Sequence, residues 1–199
     1  MDFRFLIAIL MSATIVNNYV LRQFLGVCPF LGVSKEKKSA FGMGLAVTFV
    51  MIVATAVTWP VQMLLLNPSN LGFLQTIVFI VTIATLVQII EIVLRKFFPP
   101  LYKSLGIYLP LMTTNCAIFA LTITNIKSDF TFIQSIVNAI GAGLGFLLAM
   151  MLFSSIREQL DSADPPETFA GLPIILISAA ILSLAFFGFD GIIDNLFGG

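Results

Sequence analysis

Histidine is missing from the 199-residue sequence, and cysteine occurs only twice, at Cys28 and Cys116. Without imidazole there is no His-ligated zinc, no Cys–His nucleophile and no histidine proton shuttle, which removes most enzyme classes. Charge is scarce too: 10% of residues are Asp, Glu, Lys or Arg, against roughly 25% in soluble domains. The formal net charge is zero, so nothing here would recruit nucleic acid or an acidic partner. What fills the chain is apolar, 59% hydrophobic with a mean hydropathy of +1.06, a composition whose principal solvent is lipid. The first apolar stretch lacks the small-residue cleavage pattern of a secretory signal and runs on into further apolar sequence, so it is expected to be retained.

Charge-free runs of about 20 residues, the length that crosses a hydrocarbon core as a helix, predict an all-α integral membrane protein with six transmembrane helices. They lie near Phe5–Leu21, Ser39–Leu66, Leu71–Leu94, Ser104–Ile126, Phe130–Ile156 and Thr168–Phe189, with Glu91 the only ionisable residue inside them. Between the second and third runs, Trp59-Pro60 and Asn67-Pro68-Ser69-Asn70 supply an interfacial aromatic, a helix breaker and a turn, which predicts an external hairpin. Arg22, Lys35, Lys37, Lys38, Arg95, Lys96, Lys103 and Arg157 fall on one side, leaving Arg4 and Lys127 for the other. The positive-inside rule makes the crowded side cytoplasmic and puts both termini outside.

Six spans divide into two sets of three, and an odd number per set turns the second set over relative to the first. The expectation is one membrane domain over residues 1–199, built as a 3+3 inverted repeat (1–97 and 98–199) with a broken first helix in each half, the arrangement that places functional sites near the midplane. Each half carries one cysteine in its first span region, Cys28 in Leu25-Gly-Val-Cys-Pro-Phe-Leu-Gly32 and Cys116 in Thr113-Thr-Asn-Cys-Ala117.

Gly26, Pro29 and Gly32 bracket Cys28 and disfavour a regular helix there. Lys35 at the inner surface puts Cys28 roughly 10 Å deep along a helical path, and Ser104 puts Cys116 roughly 18 Å deep. Two thiolates are too few for an iron–sulfur cluster, which usually takes four, so a partner chain would have to supply the rest. The plainer reading makes each cysteine a small, soft packing residue. Asn17, Asn18, Thr113, Thr114 and Asn115 are the densest polar group within the spans. They suit an ion path, support for metal ligands, or interhelical hydrogen bonding. Gly141, Gly143 and Gly145, like Gly42 and Gly44, have the spacing of helix-packing faces rather than of a nucleotide loop, because no strand precedes them.

The stretches Val16-Asn-Asn-Tyr-Val-Leu21, Phe24-Leu-Gly-Val-Cys-Pro-Phe-Leu-Gly-Val-Ser-Lys35 and Pro99-Pro-Leu-Tyr-Lys-Ser-Leu-Gly-Ile-Tyr-Leu-Pro-Leu-Met-Thr-Thr-Asn-Cys-Ala-Ile-Phe119 resemble the A-subunit family of the Rnf electron-transport complex. The likeness continues through Arg157-Glu158 and Ala163-Asp-Pro-Pro166 to Ser183-Leu-Ala-Phe-Phe-Gly-Phe189. The E subunit of the sodium-pumping NADH:quinone reductase shares the architecture. What the resemblance implies is a membrane subunit of a translocase-type ferredoxin:NAD oxidoreductase in the bacterial plasma membrane, not catalytic alone, which couples electron flow to Na+ or H+ movement. It further implies a [2Fe–2S] cluster inside the bilayer, held by Cys28, Cys116 and two cysteines of a homologous E subunit. Flavins, the NADH site and other clusters would reside on the B, C, D and G subunits. A secondary transporter with a solute at the repeat interface, and a scaffold without redox groups, are the competing classes.

Overall fold

In the computed structural model, which describes residues 3–34, 36–66, 74–97, 112–162 and 171–188, every regular element is helical and no strand occurs among the described residues. The order is α1 (Phe3–Met11) with a π-helical continuation (Ser12–Val16), α2 (Val27–Val33), α3 (Lys37–Val61) with a second π-helical turn (Gln62–Leu66), α4 (Gln75–Phe97), α5 (Cys116–Lys127), α6 (Phe132–Asp161) and α7 (Leu172–Phe187). Lys37–Leu64, Gln75–Val93 and Phe132–Leu160 are long and apolar enough to cross a bilayer, whereas Arg4–Val16, Cys116–Lys127 and Leu172–Phe187 are shorter apolar helices. The hairpin expected at 67–70, the chain before Met112 in the fourth run and the last inner loop at 163–170 lie outside the described residues.

α3 and α6 form the centre, where Met43, Val47, Met51 and Ala54 meet Ala142, Phe146, Ala149 and Met150 in one buried cluster. More than half of the apolar stretch of α6 is buried, 56% against 17% for α4. That difference makes α6 the spine and α4 a peripheral helix. On α4, Phe79, Ile83 and Val87 recur every four residues and are buried, while Ile77, Ile80, Val81, Ile89 and Ile92 face outward, a one-sided stripe set by the helical period. α6 begins with a capping box, in which the Thr131 side chain accepts from the Gln134 backbone and the Thr131 N–H donates to Gln134 Oε1 at 2.9 Å. This satisfies two of its otherwise unpaired terminal groups. α3 runs through Pro60 without ending, and the Trp59 indole donates to the Phe130 carbonyl at 3.0 Å, tying that end of α3 to the start of α6.

The first apolar run departs from a single helix over Phe5–Leu21. Helical structure stops at Val16, an irregular segment covers Asn17–Gly26, and α2 resumes the path. Distant bonds produce this break. The Asn18 amide donates to the Gly145 carbonyl at 2.8 Å while its oxygen accepts from Val20 and Leu21 at 2.9 and 3.3 Å, and the Ser183 hydroxyl donates to the Leu21 carbonyl. Arg22 therefore belongs to the break itself, bonded to Asn17 Oδ1 at 2.9 Å and set 5.9 Å from the Phe187 ring centroid, instead of to the inner loop with the lysines.

Both pieces of the broken helix dock on α6. A Cβ at Gly141 would lie 2.9 Å from the Leu10 carbonyl oxygen, and one at Gly145 would lie 2.8 Å from that of Thr14. Only glycine permits so close a backbone approach. Beyond the break, Phe30 of α2 stacks on Phe153 at 4.2 Å between ring centroids, and the Arg157 guanidinium donates to the Leu31 carbonyl at 2.6 Å.

Candidate functional site

The break in the first helix faces the start of α5. Helical geometry at Met112–Thr113 is interrupted at Thr114–Asn115, and α5 begins at Cys116. Asn115 is its N-cap, its side-chain oxygen accepting from the Ala117 N–H at 3.0 Å, the role that favours Asn at such a position. Gly26, at φ +78°, occupies the same position at the start of α2, a left-handed conformation that glycine adopts without the strain of a Cβ. The two helix starts touch. The Gly26 N–H donates to Cys116 Sγ at 2.9 Å, and a Cβ at Gly26 would lie 3.0 Å from Phe146 Cε2, 3.1 Å from Asn115 Oδ1 and 3.3 Å from Ala117 Cβ.

This contact brings Cys116 against the residue two before Cys28. Phe146, which bounds it, lies near the middle of α6, about 21 Å along the helix from Phe132 at 1.5 Å per residue, so both cysteines sit at mid-bundle depth. Both are free and both are exposed on the surface of the chain, whereas Pro29 and Asn115 beside them are buried. Exposure speaks against a purely core-packing role, since packing cysteines are among the most buried residues. Each cysteine occupies the first turn of its helix, the end where unpaired N–H groups concentrate positive partial charge. Phe24, in the segment leading to Gly26, also has a positive φ of 53° and is exposed, an uncommon conformation for an aromatic residue.

Among the described residues, no group of three or more Cys, Asp or Glu could hold a metal. The two thiols suit half of a four-thiolate iron–sulfur set: they are free, outward-facing, next to helix starts, and one sulfur already accepts a peptide N–H of the kind that tunes such clusters. The Asn115 Nδ2 group is buried and makes no hydrogen bond, which leaves one more donor at the edge of the site.

The other expected polar residues separate. Asn18 is buried and wholly engaged in holding the break to α6. Asn17 points the other way, donating to Ser12 Oγ at 3.0 Å, and lines a cleft of 450 Å³ with Ser12, Tyr19, Thr124 and Asn138. Asn138, buried, donates to Asn125 Oδ1 at 2.6 Å in the wall of that cleft. Thr113 is half-buried and Thr114 exposed. Sequence reasoning missed the Arg157 contact with α2, the Ser183 bond to the break and the Asn125–Asn138 pair. Arg157 was visible as a charge at the end of an apolar run, without any sign of what it touches.

A family model for the Rnf-Nqr subunit, a membrane protein, matches residues 6–193. The A subunit of the ion-translocating oxidoreductase complex of Syntrophotalea carbinolica is 54% identical over 190 residues, covering 96% of this chain and 98% of that protein. Its counterpart in the Na+-translocating ferredoxin:NAD+ oxidoreductase complex of Acetobacterium woodii is 52% identical over 186 residues, 94% of this chain and 97% of that protein. The counterpart in the proton-translocating ferredoxin:NAD+ oxidoreductase complex of Clostridium ljungdahlii is 48% identical over 188 residues, with 94% and 97% covered.

Proposed function

The chain belongs to the Rnf-Nqr family of membrane subunits, and from that premise we propose that it relays electrons through the membrane within an ion-translocating ferredoxin:NAD+ oxidoreductase complex, using Cys28 and Cys116 as its half of a [2Fe–2S] ligand set. The observation that carries this reading is the pairing of two free, exposed thiols at mid-bundle depth, joined by the Gly26 N–H to Cys116 Sγ bond. A second chain of the same architecture, the E subunit, supplies the other two cysteines, and the B, C, D and G subunits carry the remaining redox groups. When bound, the cluster supplies one-electron chemistry.

The chain's own residues then have distinct duties. Gly26 and Asn115 set the starts of α2 and α5 so that both thiols face the partner. Phe30 seats α2 against α6 by stacking on Phe153, Pro29 is buried beside it, and the Gly26 N–H donates to the Cys116 sulfur. Asn18 fixes the break, and Thr113 and Thr114 end the approach to Asn115. The whole chain is one membrane domain of two inverted three-helix repeats, residues 1–97 and 98–199, in the bacterial plasma membrane with both termini outside. Inverted repeats around a midplane site suit alternating access, so a charge change there biases the two halves and couples electron flow to Na+ or H+ movement. Relatives of nearly equal similarity carry sodium and proton in their names, so overall identity does not select the ion.

The test is coupled transport in membrane vesicles driven by reduced ferredoxin. Cys28→Ala and Cys116→Ala are each expected to abolish both NAD reduction and ion uptake while the complex still assembles. Ion uptake that survives either substitution overturns the reading in favour of a transporter or a scaffold.

A further inference from the structure

The cleft beside the break runs from the α5–α6 turn toward mid-depth. Ser128 and Phe130 lie in that turn, Phe5 and Ser12 lie seven residues apart along the first helix, and Gln23 stands three residues before Gly26. Seven residues of helix are about 10 Å. Of the twelve described lining residues seven carry a polar side chain and none is charged, whereas a groove that met only lipid tails would be apolar. Asn17 is engaged by Arg22 and Ser12, which leaves Thr124, Ser128 and Asn138 to meet whatever enters. Behind that wall lies a second polar group. The Tyr19 side chain hydrogen-bonds those of Thr124 and Asn138, and Asn138 reaches on to Asn125. Ser135 is one turn from Asn138 on the same face of α6. Trp59 packs on Phe132 and Thr48 lies against Gly143, an antiparallel register that puts Thr55 of α3 level with Ile136, beside Ser135. Thr55 Oγ1, Asn125 Nδ2 and Ser135 Oγ have no hydrogen-bond partner among the described residues, at 1%, 2% and 0% exposure.

Buried polar atoms between membrane helices are costly unless something polar meets them. Two hydroxyls and an amide N–H suit water or the hydration shell of a small cation, and uncharged oxygens hold a monovalent cation loosely enough to let it leave. We propose that the cleft, together with the polar group behind Asn138, is the outer access route of the transported cation, with Asn138 as the constriction between the two. The inner end of the cleft is the segment that leads to Gly26 and its bond to Cys116. A change of charge at the thiols therefore acts beside the ion's path, without the ion crossing the redox group. This inference rests on the reading that the chain helps to carry the ion and on the outward orientation of the α5–α6 turn.

The experiment places single thiols in the complex and reaches them from outside. Thr124→Cys lies in the wall of the cleft, and Val81→Cys, at a position 58% exposed on the outward face of α4, is the control. Intact cells are treated with a membrane-impermeant cationic methanethiosulfonate, peptide mass spectrometry locates the adduct, and inverted vesicles from the same cells report ion uptake driven by reduced ferredoxin. Thr124→Cys is expected to be modified and to lose uptake relative to treated wild type, and Val81→Cys to do neither. Asn138→Leu, which sets an apolar side chain in the constriction, is expected to lose uptake while the EPR signal that depends on Cys28 is retained, and Asn138→Thr to recover it. A Thr124→Cys thiol that stays unmodified, is modified no more than that of Val81→Cys, or is modified with uptake intact overturns the route and leaves the electron relay untouched, as does undiminished uptake in Asn138→Leu. Uptake that survives Cys28→Ala overturns the relay and leaves the route standing.

Discussion

Gly26 and Gly32 flank Cys28 in sequence, yet the structure gives them opposite sensitivities to the same added methyl group. At Gly26 the backbone is left-handed, φ +78°, and the new Cβ would meet Phe146 at 3.0 Å, Asn115 Oδ1 at 3.1 Å and Ala117 at 3.3 Å. A left-handed conformation costs an L-residue roughly 1–2 kcal/mol, and overpacking a filled site adds about 1–3 kcal/mol. Phe146 is 1% exposed and cannot swing aside. Gly26→Ala is therefore expected to destabilise by about 2–5 kcal/mol. At Gly32, inside α2, an added Cβ meets nothing within 4 Å, and Ala is favoured over Gly in a helix by roughly 0.5–1 kcal/mol. Gly32→Ala should be neutral or stabilising. The assay is reversible unfolding of the chain in mixed micelles, read by circular dichroism. A Gly26→Ala variant no less stable than Gly32→Ala would refute the account of the two helix starts and of the bond between them.

Three other substitutions probe the frame around the site. Asn18→Ala strips the partner from the buried Val20 and Leu21 N–H groups and is expected to lose about 2–6 kcal/mol in the same assay, at about 1–3 kcal/mol for each. Trp59→Phe removes the 3.0 Å bond to the Phe130 carbonyl and should cost about 0.5–1.5 kcal/mol, with no change at the thiols when they are titrated with a maleimide. Lys37→Ala breaks an exposed pair with Glu158. Its effect should stay within about 1 kcal/mol and vanish in high salt.

Much of the frame was legible in the sequence because lipid imposes it. Charge-free runs of the right length lead directly to α3, α4 and α6, and the Gly141-x-Gly143-x-Gly145 spacing marks the faces where α1 and α3 approach α6. The break in the first helix was legible in kind from Gly26 and misplaced: Gly26, Pro29 and Gly32 predict no regular helix around Cys28, yet Val27–Val33 is α-helical, with Pro29 in the first turn, where its missing N–H costs nothing. Val16–Leu21 carries no charge, glycine or proline that would end a helix, and what stops it is a set of bonds to Gly145 and Ser183, 127 and 162 residues away. Local pattern holds no record of such partners. Asn17 and Asn18 read as one polar pair, but they face opposite directions, one buried against α6 and one in the cleft beside Tyr19. Arg157 followed the positive-inside rule and for that reason looked like a mere topological marker. Its contact with α2 depends on where the spine helix ends relative to the broken one, which only the packing of Phe30 on Phe153 sets.

Whether Cys28 and Cys116 complete a cluster with a homologous partner chain, as proposed, is decided by co-purifying the two chains under anaerobic conditions, quantifying iron and acid-labile sulfide, and recording EPR after dithionite reduction. Two irons and two sulfides per pair are expected, with a signal that disappears in Cys28→Ala and in Cys116→Ala. A pair free of iron, or a signal unchanged by both substitutions, would contradict the proposal and leave the two thiols without a redox role.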